Sequence, residues 1–349
     1  MRTMLRVGLC GFGYGHQRDY GEAILRQSGV RGIGVCPAPG DSSMDIQTAH
    51  AAAQRLNVPF FDKLEALIAA TNPDLMSLAV RPLENPAAVE YCAERKIGVL
   101  CEKPLAIDEA GMERIRRAIA HSGSYFCMAL AAAKFARPIE LLREQVQRGA
   151  IGHPRVAYYQ YLQPKGPMFT KAPGTVGATG ELENFAPYAL VFLHEIFQAA
   201  PFEVYCQRGA RFYPWYDGMD IDDLAVIHLQ YPGNGIATVV VGRTTTQSLP
   251  ATDLRIEVIG DAGVVHADHG LANRIVGYHP ITGSDEDWDR GGLTWHRIDM
   301  PDIDRFAGKV VESVRKGLPA PISLDEAISA QRVIATCLQQ PRVKEQLPV

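Results

Sequence analysis

The stretch "VGLCGFGYGHQRDY", Val7–Tyr20, decides the fold of the first third of the chain. An apolar run, "LRVGLC", predicts a β-strand, and the amphipathic run "GHQRDYGEAILRQSG" predicts the α-helix after it. Between them, Gly11 and Gly13 fill the first two positions of Gly-x-Gly-x-x-Gly, the strand-to-helix turn that binds dinucleotide phosphates. Such a turn lets the backbone approach a pyrophosphate, which the helix N-terminus attracts with its N–H groups.

The third position of this pattern holds His16 instead of glycine. His16 either displaces the helix from the strand or turns its ring toward the phosphates, while Gly15 loosens the turn one residue earlier. We predict a phosphate site in this turn, with a simple tight turn as the alternative. The predicted cofactor-binding residues of the turn are Gly11, Phe12, Gly13, Tyr14, Gly15 and His16.

The rest of the chain divides into two patterns. Apolar runs alternate with amphipathic helices in the first third, which predicts a parallel α/β sheet. One long helix, "KFARPIELLREQVQRG", then precedes strands of alternating pattern such as "PRVAYYQYL", "LAVIHLQY" and "IATVVVGRTTT". Alternation predicts a mostly antiparallel sheet. We expect two domains, residues 1–123 and 124–349, and a closing pair of helices.

Composition argues against several classes of partner. The 349 residues carry a formal net charge of −4, so nothing favours nucleic acid, and no basic block suggests a membrane surface. No apolar run approaches the roughly 20 residues of a membrane helix. The seven cysteines are scattered without metal-ligand spacing, as expected of thiols in a reducing compartment. We predict a cytoplasmic protein without disulfides whose partners are small molecules and copies of itself.

The choice between NAD and NADP stays open. An acidic residue usually ends the second strand of such a domain and binds the adenosine ribose, but Cys36 stands there. The nearest acid is Asp41, and no Lys or Arg lies between Gly32 and Arg55 to hold a 2′-phosphate. Ser42 and the serine after it offer hydroxyls to either group or cap the next helix.

A second motif, "CEKP", extends the argument. With the glycine turn, the run "DLMSLAVRPLENPAAVEYCAERKIGVLCEKPLAIDEAGMERI" resembles the Gfo/Idh/MocA family of oxidoreductases, and "QRGAIGHPRVAYY" resembles the start of that family's second domain. The resemblance implies an N-terminal Rossmann domain that binds NAD or NADP. It also implies a C-terminal α/β domain whose open, mostly antiparallel sheet forms dimers or tetramers. The implied reaction is hydride transfer between nicotinamide and a hydroxyl of a sugar, cyclitol or related compound.

The resemblance also assigns roles to Glu102 and Lys103. In the family this lysine lies beside the nicotinamide and hydrogen-bonds the reacting oxygen, which suits alcohol oxidation because that step needs a positive donor at a developing alkoxide. The alternative is a solvated ion pair at a strand end.

The family's other catalytic element, Asp-x-Gly-x-His-x-x-Asp, is altered here. The matching run "TGELENFAPYALVFLHEIF" places Asn184 and Tyr188 at the first Asp and the His, and Val191 at the last Asp. Their spacing of four puts Asn184 and Tyr188 on one helix face. We expect Tyr188 to act as acid and base and Asn184 to hold a substrate hydroxyl, with a core aromatic as the alternative for Tyr188. Pro187 predicts that the helix begins there or that part of the element is a loop.

Further candidates surround these motifs. Arg81, followed by Pro82, either grips a pyrophosphate or anionic substrate or points to solvent. Lys134 stands where many members keep a site-lining arginine. A segment with three cations and no acid, residues 155–180, suits an anionic substrate through Lys165 and Lys171. His266 and His269 lack the partners of a metal site, so we predict no metal.

Three functions remain open at the level of sequence. The first is an NAD(P)-dependent oxidoreductase acting on a secondary alcohol or ketone. The second is a non-redox enzyme whose tightly bound NAD oxidises and then reduces the same substrate. The third is a cofactor-binding regulatory protein that has lost catalysis, since a fold alone does not imply activity.

Overall fold

The computed structural model describes residues 4–163, 180–244, 253–269, 274–278, 294–295 and 303–342. The chain forms two compact units. The first comprises Met1–Ala131 and Asp302–Gln331, and the second comprises Ala132–Pro301 and Arg332–Val349. Each unit is built on its own β-sheet.

The first unit contains a parallel sheet in the order β2-β1-β3-β4-β5. Strands β3 and β4 are buried along their whole length, and β1 is buried except at Arg6, as expected of mostly apolar strands covered on both faces. The sequence order reverses at β1, which lies between β2 and β3. Ligands bind such sheets at this switch point, beyond the carboxyl ends of the strands. The strands are β1 (Leu5–Cys10), β2 (Val30–Cys36), β3 (Leu75–Leu78), β4 (Gly98–Cys101) and β5 (Phe126–Met128).

Helices connect these strands, and local signals in the sequence fix their ends. Ser42 caps α2 in a capping box with Asp45, so the serine predicted as a possible cap has that role. Asp108 caps α5, which ends at Gly123 in the left-handed conformation. The helices are α1 (Gln17–Arg26), α2 (Ser43–Leu56), α3 (Leu64–Thr71), α4 (Asn85–Ala93), α5 (Glu109–Ser122) and, late in the chain, α9 (Ile303–Lys316).

The second unit contains a mixed sheet in the order β13-β12-β11-β10-β6-β9-β8-β7. Among the described strands of this second sheet, only β6 and β9 pair in parallel. The α/β class and the mostly antiparallel second sheet are confirmed. The strands are β6 (Pro154–Gln163), β7 (Glu203–Gly209), β8 (Leu224–Tyr231), β9 (Gly235–Arg243), β10 (Asp253–Gly260), β11 (Val264–His269), β12 (Arg274–Tyr278) and β13 (Thr294–Trp295).

The two faces of this second sheet differ. Alternate residues of the central strands, such as Tyr159 and Val239, are buried, and Tyr159 packs against Phe192 of the helix α8 (Glu181–Phe197). Their neighbours on the opposite face include Tyr158 and Ile236, which are about half exposed. Alternation of this kind is what a sheet covered on one side produces.

Helix α8 corrects the prediction for Pro187. The helix is continuous from Glu181, with Pro187 inside it, although an interior proline costs about 3 kcal/mol. Burial of apolar residues along α8, among them Phe185 and Leu190, outweighs that cost at about 1.5–3 kcal/mol each. The start of the helix is held by Asp222, which accepts hydrogen bonds from the N–H groups of Glu181 and Leu182.

The long helix predicted before β6 over residues 134–149 is shorter in the structure and begins at Arg137. A short helix, α6 (Ala131–Lys134), is followed by α7 (Arg137–Gln147), whose first turn contains a proline. A proline favours the first turn because its missing N–H has no partner there. The last helix, α10 (Leu324–Gln339), is as predicted.

The division into residues 1–123 and 124–349 stays a prediction, and the compact units differ from it at two places. Strand β5 pairs with β4 of the parallel sheet, so the first unit continues past residue 123. The chain also returns to the first unit late, because α9 packs on α1 through Phe306 against Tyr20, with ring centroids 5.6 Å apart.

Candidate active site

The turn after β1 requires its first glycine. Gly11 has φ +85°, a conformation that residues with a Cβ rarely adopt. Its N–H donates to the Cys36 carbonyl at the end of β2, and a Cβ here would overlap the Ala79 carbonyl beyond β3. The turn therefore lies between the ends of both neighbouring strands, which only glycine permits.

The next two glycines admit side chains from other elements. A Cβ on Gly13 would overlap the carboxylate of Asp45, and a Cβ on Gly15 would overlap Glu102. The side chain of His16 makes no capping hydrogen bond with α1. The His16 side chain therefore does not occupy the N-terminus of α1, where an anionic group can bind. The turn thus fits a dinucleotide pyrophosphate.

The ring of His16 contacts Glu102, and its contact with the cofactor phosphates stays a prediction. Its Nδ1 lies 2.9 Å from Oε1 of Glu102, whose side chain is 3% exposed. The hydrogen bond with Glu102 raises the pKa of His16, against the opposing effect of burial. The third position of the fingerprint thus connects the glycine turn to the Glu-Lys-Pro motif.

Lys103 lies just beyond the carboxyl end of β4, at the same edge of the sheet as the glycine turn, and is 8% exposed. Asn85, which the sequence analysis did not select, supports this motif. Its side-chain amide donates to the Pro104 carbonyl at 3.0 Å and to the Glu102 carbonyl at 3.5 Å.

Two residues predicted to contact the cofactor, Cys36 and Arg81, contact other parts of the protein. Cys36 is completely buried, and its hydrogen bond with Cys10, together with burial, raises the pKa of Cys10. Arg81 donates to the Gly40 carbonyl and lies 3.9 Å from Asp41, so it contacts the loop after β2. The predictions of cofactor contacts for Phe12, Tyr14 and Pro82 remain predictions.

Asn184 and Tyr188 both lie on α8, one turn apart and partly exposed. The amide of Asn184 donates to Glu181 at 3.1 Å, and Glu181 is buried in an ion pair with Arg243 at 2.8 Å. The ring of Tyr188 packs edge-on against Tyr161, with centroids 5.8 Å apart. A buried ion pair therefore orients the first residue of the altered motif.

Lys134 belongs to an ionic cluster with Glu195. Its Nζ lies 3.2 Å from Glu195 Oε2, while Arg143 and Gln147 of α7 bind Oε1. Lys134 and Arg143 hold the pKa of Glu195 below its usual value against the effect of burial. Substrate binding by Lys134 stays a prediction, and Lys165 and Lys171 lie outside the described residues.

Metal and membrane features are absent from the described part of the chain. No group of three or more His, Cys, Asp and Glu residues is arranged there to hold a metal ion. No helix within those ranges has the length and apolarity needed to cross a bilayer. The seven cysteines are free and buried.

The glycine turn at a switch point and the lysine at the same sheet edge define a dinucleotide-dependent enzyme class. Residues 5–129 match the model of an oxidoreductase family with an NAD-binding Rossmann fold, and residues 139–266 match the GFO/IDH/MocA C-terminal domain. The chain belongs to this GFO/IDH/MocA oxidoreductase family.

Individual relatives agree with this assignment. The mouse trans-1,2-dihydrobenzene-1,2-diol dehydrogenase is 29% identical over 196 residues, which are 55% of this chain and 56% of that enzyme. The chain thus spans just over half the length of that relative. The structure of myo-inositol 2-dehydrogenase from Lactobacillus plantarum superposes with a TM-score of 0.78 at 19% identity, covering 97% of both chains. An Agrobacterium radiobacter oxidoreductase in complex with NAD+, L-tartaric acid and magnesium has a TM-score of 0.78 at 16% identity, covering 95% of both chains. These two structures share the fold.

Proposed function

We propose that the protein transfers a hydride between NAD or NADP and a secondary alcohol or ketone of a sugar, cyclitol or related ring diol. The observation that carries this proposal is the burial of Lys103 at the sheet edge that bears the glycine turn. A nicotinamide dinucleotide, when bound, supplies the hydride acceptor or donor. A buried ammonium group interacts strongly with a developing alkoxide because little water screens it.

The residues have separate roles in this proposal. Lys103 donates a hydrogen bond to the oxygen of the reacting hydroxyl. Tyr188 as the phenolate accepts the hydroxyl proton during oxidation and as the phenol returns it during reduction, and Asn184 binds a neighbouring hydroxyl. The ordinary pKa of tyrosine is near 10, so oxidation should accelerate with rising pH.

The substrate class follows from what the relatives are named for. A dihydrobenzene diol and an inositol both carry neighbouring hydroxyl groups on a six-membered ring. We assign the same class, a vicinal ring diol, to this chain. The cations Lys165 and Lys171 extend the proposal to anionic members of the class.

The test is a panel of vicinal ring diols assayed by reduced-nicotinamide absorbance with NAD+ and with NADP+. The expected result is turnover of at least one diol, lost by 100-fold or more in Lys103→Met and in Tyr188→Phe. Residues outside the candidate site and the proposed contact face provide matched controls, Lys63→Met and Tyr91→Phe, which should retain activity. Loss of activity in the controls, or full activity in Lys103→Met, contradicts the proposal.

A second measurement separates this proposal from the two alternatives. The purified protein is denatured, and its supernatant is assayed for NAD(H) and NADP(H). Exchangeable binding in calorimetry supports an ordinary dehydrogenase. Stoichiometric retained dinucleotide without net turnover favours a closed redox cycle, and exchangeable binding without any chemistry favours a regulatory protein.

We also propose that the protein is a cytoplasmic homodimer or homotetramer. Seven free thiols are consistent with a reducing compartment. The face of the second sheet that carries Tyr158 and Ile236 is the proposed contact between copies.

A further inference from the structure

The adenosine-ribose end of the dinucleotide site needs a residue other than Cys36. In this fold an acid at the end of β2 ordinarily accepts hydrogen bonds from the ribose hydroxyls. Cys36 occupies that position with 0% exposure and carries a thiol, which is a poor acceptor. The loop between β2 and α2 then becomes the place to search for a replacement.

Asp45, in the first turn of α2, lies directly against the glycine turn. Its Oδ2 accepts hydrogen bonds from the N–H and the hydroxyl of Ser42, at 3.0 and 2.7 Å. Its Oδ1 accepts no hydrogen bond from any residue in the described ranges, and it would be overlapped by a Cβ on Gly13. The Asp45 side chain is 23% exposed. A fixed carboxylate with an available oxygen thus borders the second glycine of the fingerprint.

Asp41 adds an independent observation at the same place. Its side chain is 1% exposed, and its Oδ2 accepts from the Ala38 N–H at 2.8 Å. Its Oδ1 is buried without a hydrogen-bond partner among the described residues. Burial raises the pKa of Asp41. An unsatisfied buried acceptor is costly in a folded protein unless something else satisfies it.

Arg81 lies between the two acids. Its guanidinium is 3.9 Å from Asp41 and 3.8 Å from Asp45. The trio carries one excess negative charge, and the sequence offers no further Lys or Arg between Gly32 and Arg55. Arg55 is engaged by Glu22 at 2.6 Å. Two carboxylates would repel a 2′-phosphate there, because the Arg81 guanidinium is already neutralised by them. A 2′-hydroxyl could instead donate a hydrogen bond to a carboxylate oxygen.

We infer that Asp45, supported by Asp41 and Arg81, accepts a hydrogen bond from an adenosine-ribose hydroxyl and makes this chain select NAD over NADP. The inference rests on the dinucleotide binding of the proposed function and adds its cofactor preference. Gly13, the second glycine of the turn, is then required for a further reason, because only a residue without a Cβ leaves space for the Asp45 carboxylate.

The test is calorimetric titration of cofactor-stripped protein with NAD+ and with NADP+ at one fixed salt concentration. The expected Kd for NAD+ is at least tenfold lower than that for NADP+. Asp45→Asn removes the negative charge and should reduce this ratio tenfold or more. Asp62→Asn is the matched control, because it makes the same charge change at an exposed acid in the loop before α3, away from the glycine turn. It should leave the ratio unchanged.

Several results overturn the inference. One is a wild-type preference for NADP+, which would assign Arg81 to a 2′-phosphate. Another is an equal change of the ratio in Asp45→Asn and Asp62→Asn. Absence of binding by both dinucleotides removes the inference and the proposed function together. NAD+ binding with the expected ratio, but without turnover of any diol, overturns the proposed function alone.

Discussion

The Nδ1 atom of His16 lies 2.9 Å from Oε1 of Glu102, so the last residue of the glycine turn hydrogen-bonds the first residue of the Glu-Lys-Pro motif. Gly15 makes this approach possible, since a Cβ there would overlap the Glu102 side chain. The two elements that define the candidate site are therefore joined by a pair of titratable groups. Glu102 is nearly completely buried and His16 is about half exposed.

This pair predicts a pH dependence of dinucleotide binding. Glu102 raises the pKa of His16 above its ordinary value of 6.5. Below that raised pKa the imidazolium balances the Glu102 carboxylate beside the start of α1. Above it, an uncompensated carboxylate repels the pyrophosphate. The Kd for NAD+ should therefore increase as pH rises through the raised pKa, by about threefold to tenfold.

His16→Gln is the variant for this prediction. Calorimetric Kd values for NAD+ measured across neutral and mildly alkaline pH should show a flat profile in His16→Gln. The control is His121→Gln, an exposed histidine in the last turn of α5, which should keep the wild-type slope. An unchanged slope in His16→Gln would remove the pair from the binding equilibrium.

The first glycine predicts a stability difference between two alanine variants. Gly11→Ala introduces a Cβ at φ +85° and against the Ala79 carbonyl. Gly123→Ala introduces one at φ +66° with open space around it. Positive φ alone costs about 1–2 kcal/mol, and forced overlap adds about 1–3 kcal/mol. Urea unfolding should thus find Gly11→Ala less stable than Gly123→Ala, whereas equal losses would mean that the backbone near Ala79 relaxes.

Short-range sequence patterns predict most of the fold. The parallel strands, the serine cap of α2 and the closing helices follow from periodicity and from residues within four positions of one another. Local sequence did not predict that helix α8 continues through Pro187, because its stability depends on tertiary burial and on Asp222, which is distant in sequence. Local propensity does not contain that information.

The site was less predictable for the same reason. The glycine turn and Lys103 are marked by local motifs. The partners of His16 and Lys134 are Glu102 and Glu195, far along the chain. Arg81 likewise finds its acids only when β2 and β3 bring their loops together at one edge of the sheet. Residue type identified these side chains, while their partners required the three-dimensional fold.

The cluster around Glu195 predicts an order of stabilities. Glu195→Gln removes the carboxylate that Lys134 and Arg143, both mostly buried, share, and loss of one member of such a buried ionic cluster costs about 3 kcal/mol. Lys134→Met leaves Glu195 paired with Arg143 and should cost about 1 kcal/mol. Urea unfolding at neutral pH measures both, and the double variant should lose less than the sum of the two.

The same cluster has a defined behaviour in acid. The folded-state pKa of Glu195 is lowered from 4.5, so its stabilising effect is present above pH 4.5 and is lost as pH falls through the lower folded value. Glu195→Gln should remove this part of the acid limb of the stability profile. An unaltered loss of stability in acid would show that Glu195 does not contribute to it. A changed substrate KM in Lys134→Met at unchanged stability would favour substrate binding by Lys134.

The exposed face of the second sheet predicts the assembly state. Tyr158 on β6 and Ile236 on β9 are diagonal neighbours on this face. Their side chains are 50% and 49% exposed, while the residues next to them along each strand point to the opposite face, toward the core. A lysine at the centre of an apolar contact between copies carries an unpaired charge into it. Ile236→Lys should therefore convert a dimer or tetramer to monomers in sedimentation velocity. Ile46→Lys, at a comparably exposed isoleucine of α2, should leave the assembly intact. A wild-type monomer, or an Ile236→Lys variant with the wild-type sedimentation coefficient, would exclude this face as the contact.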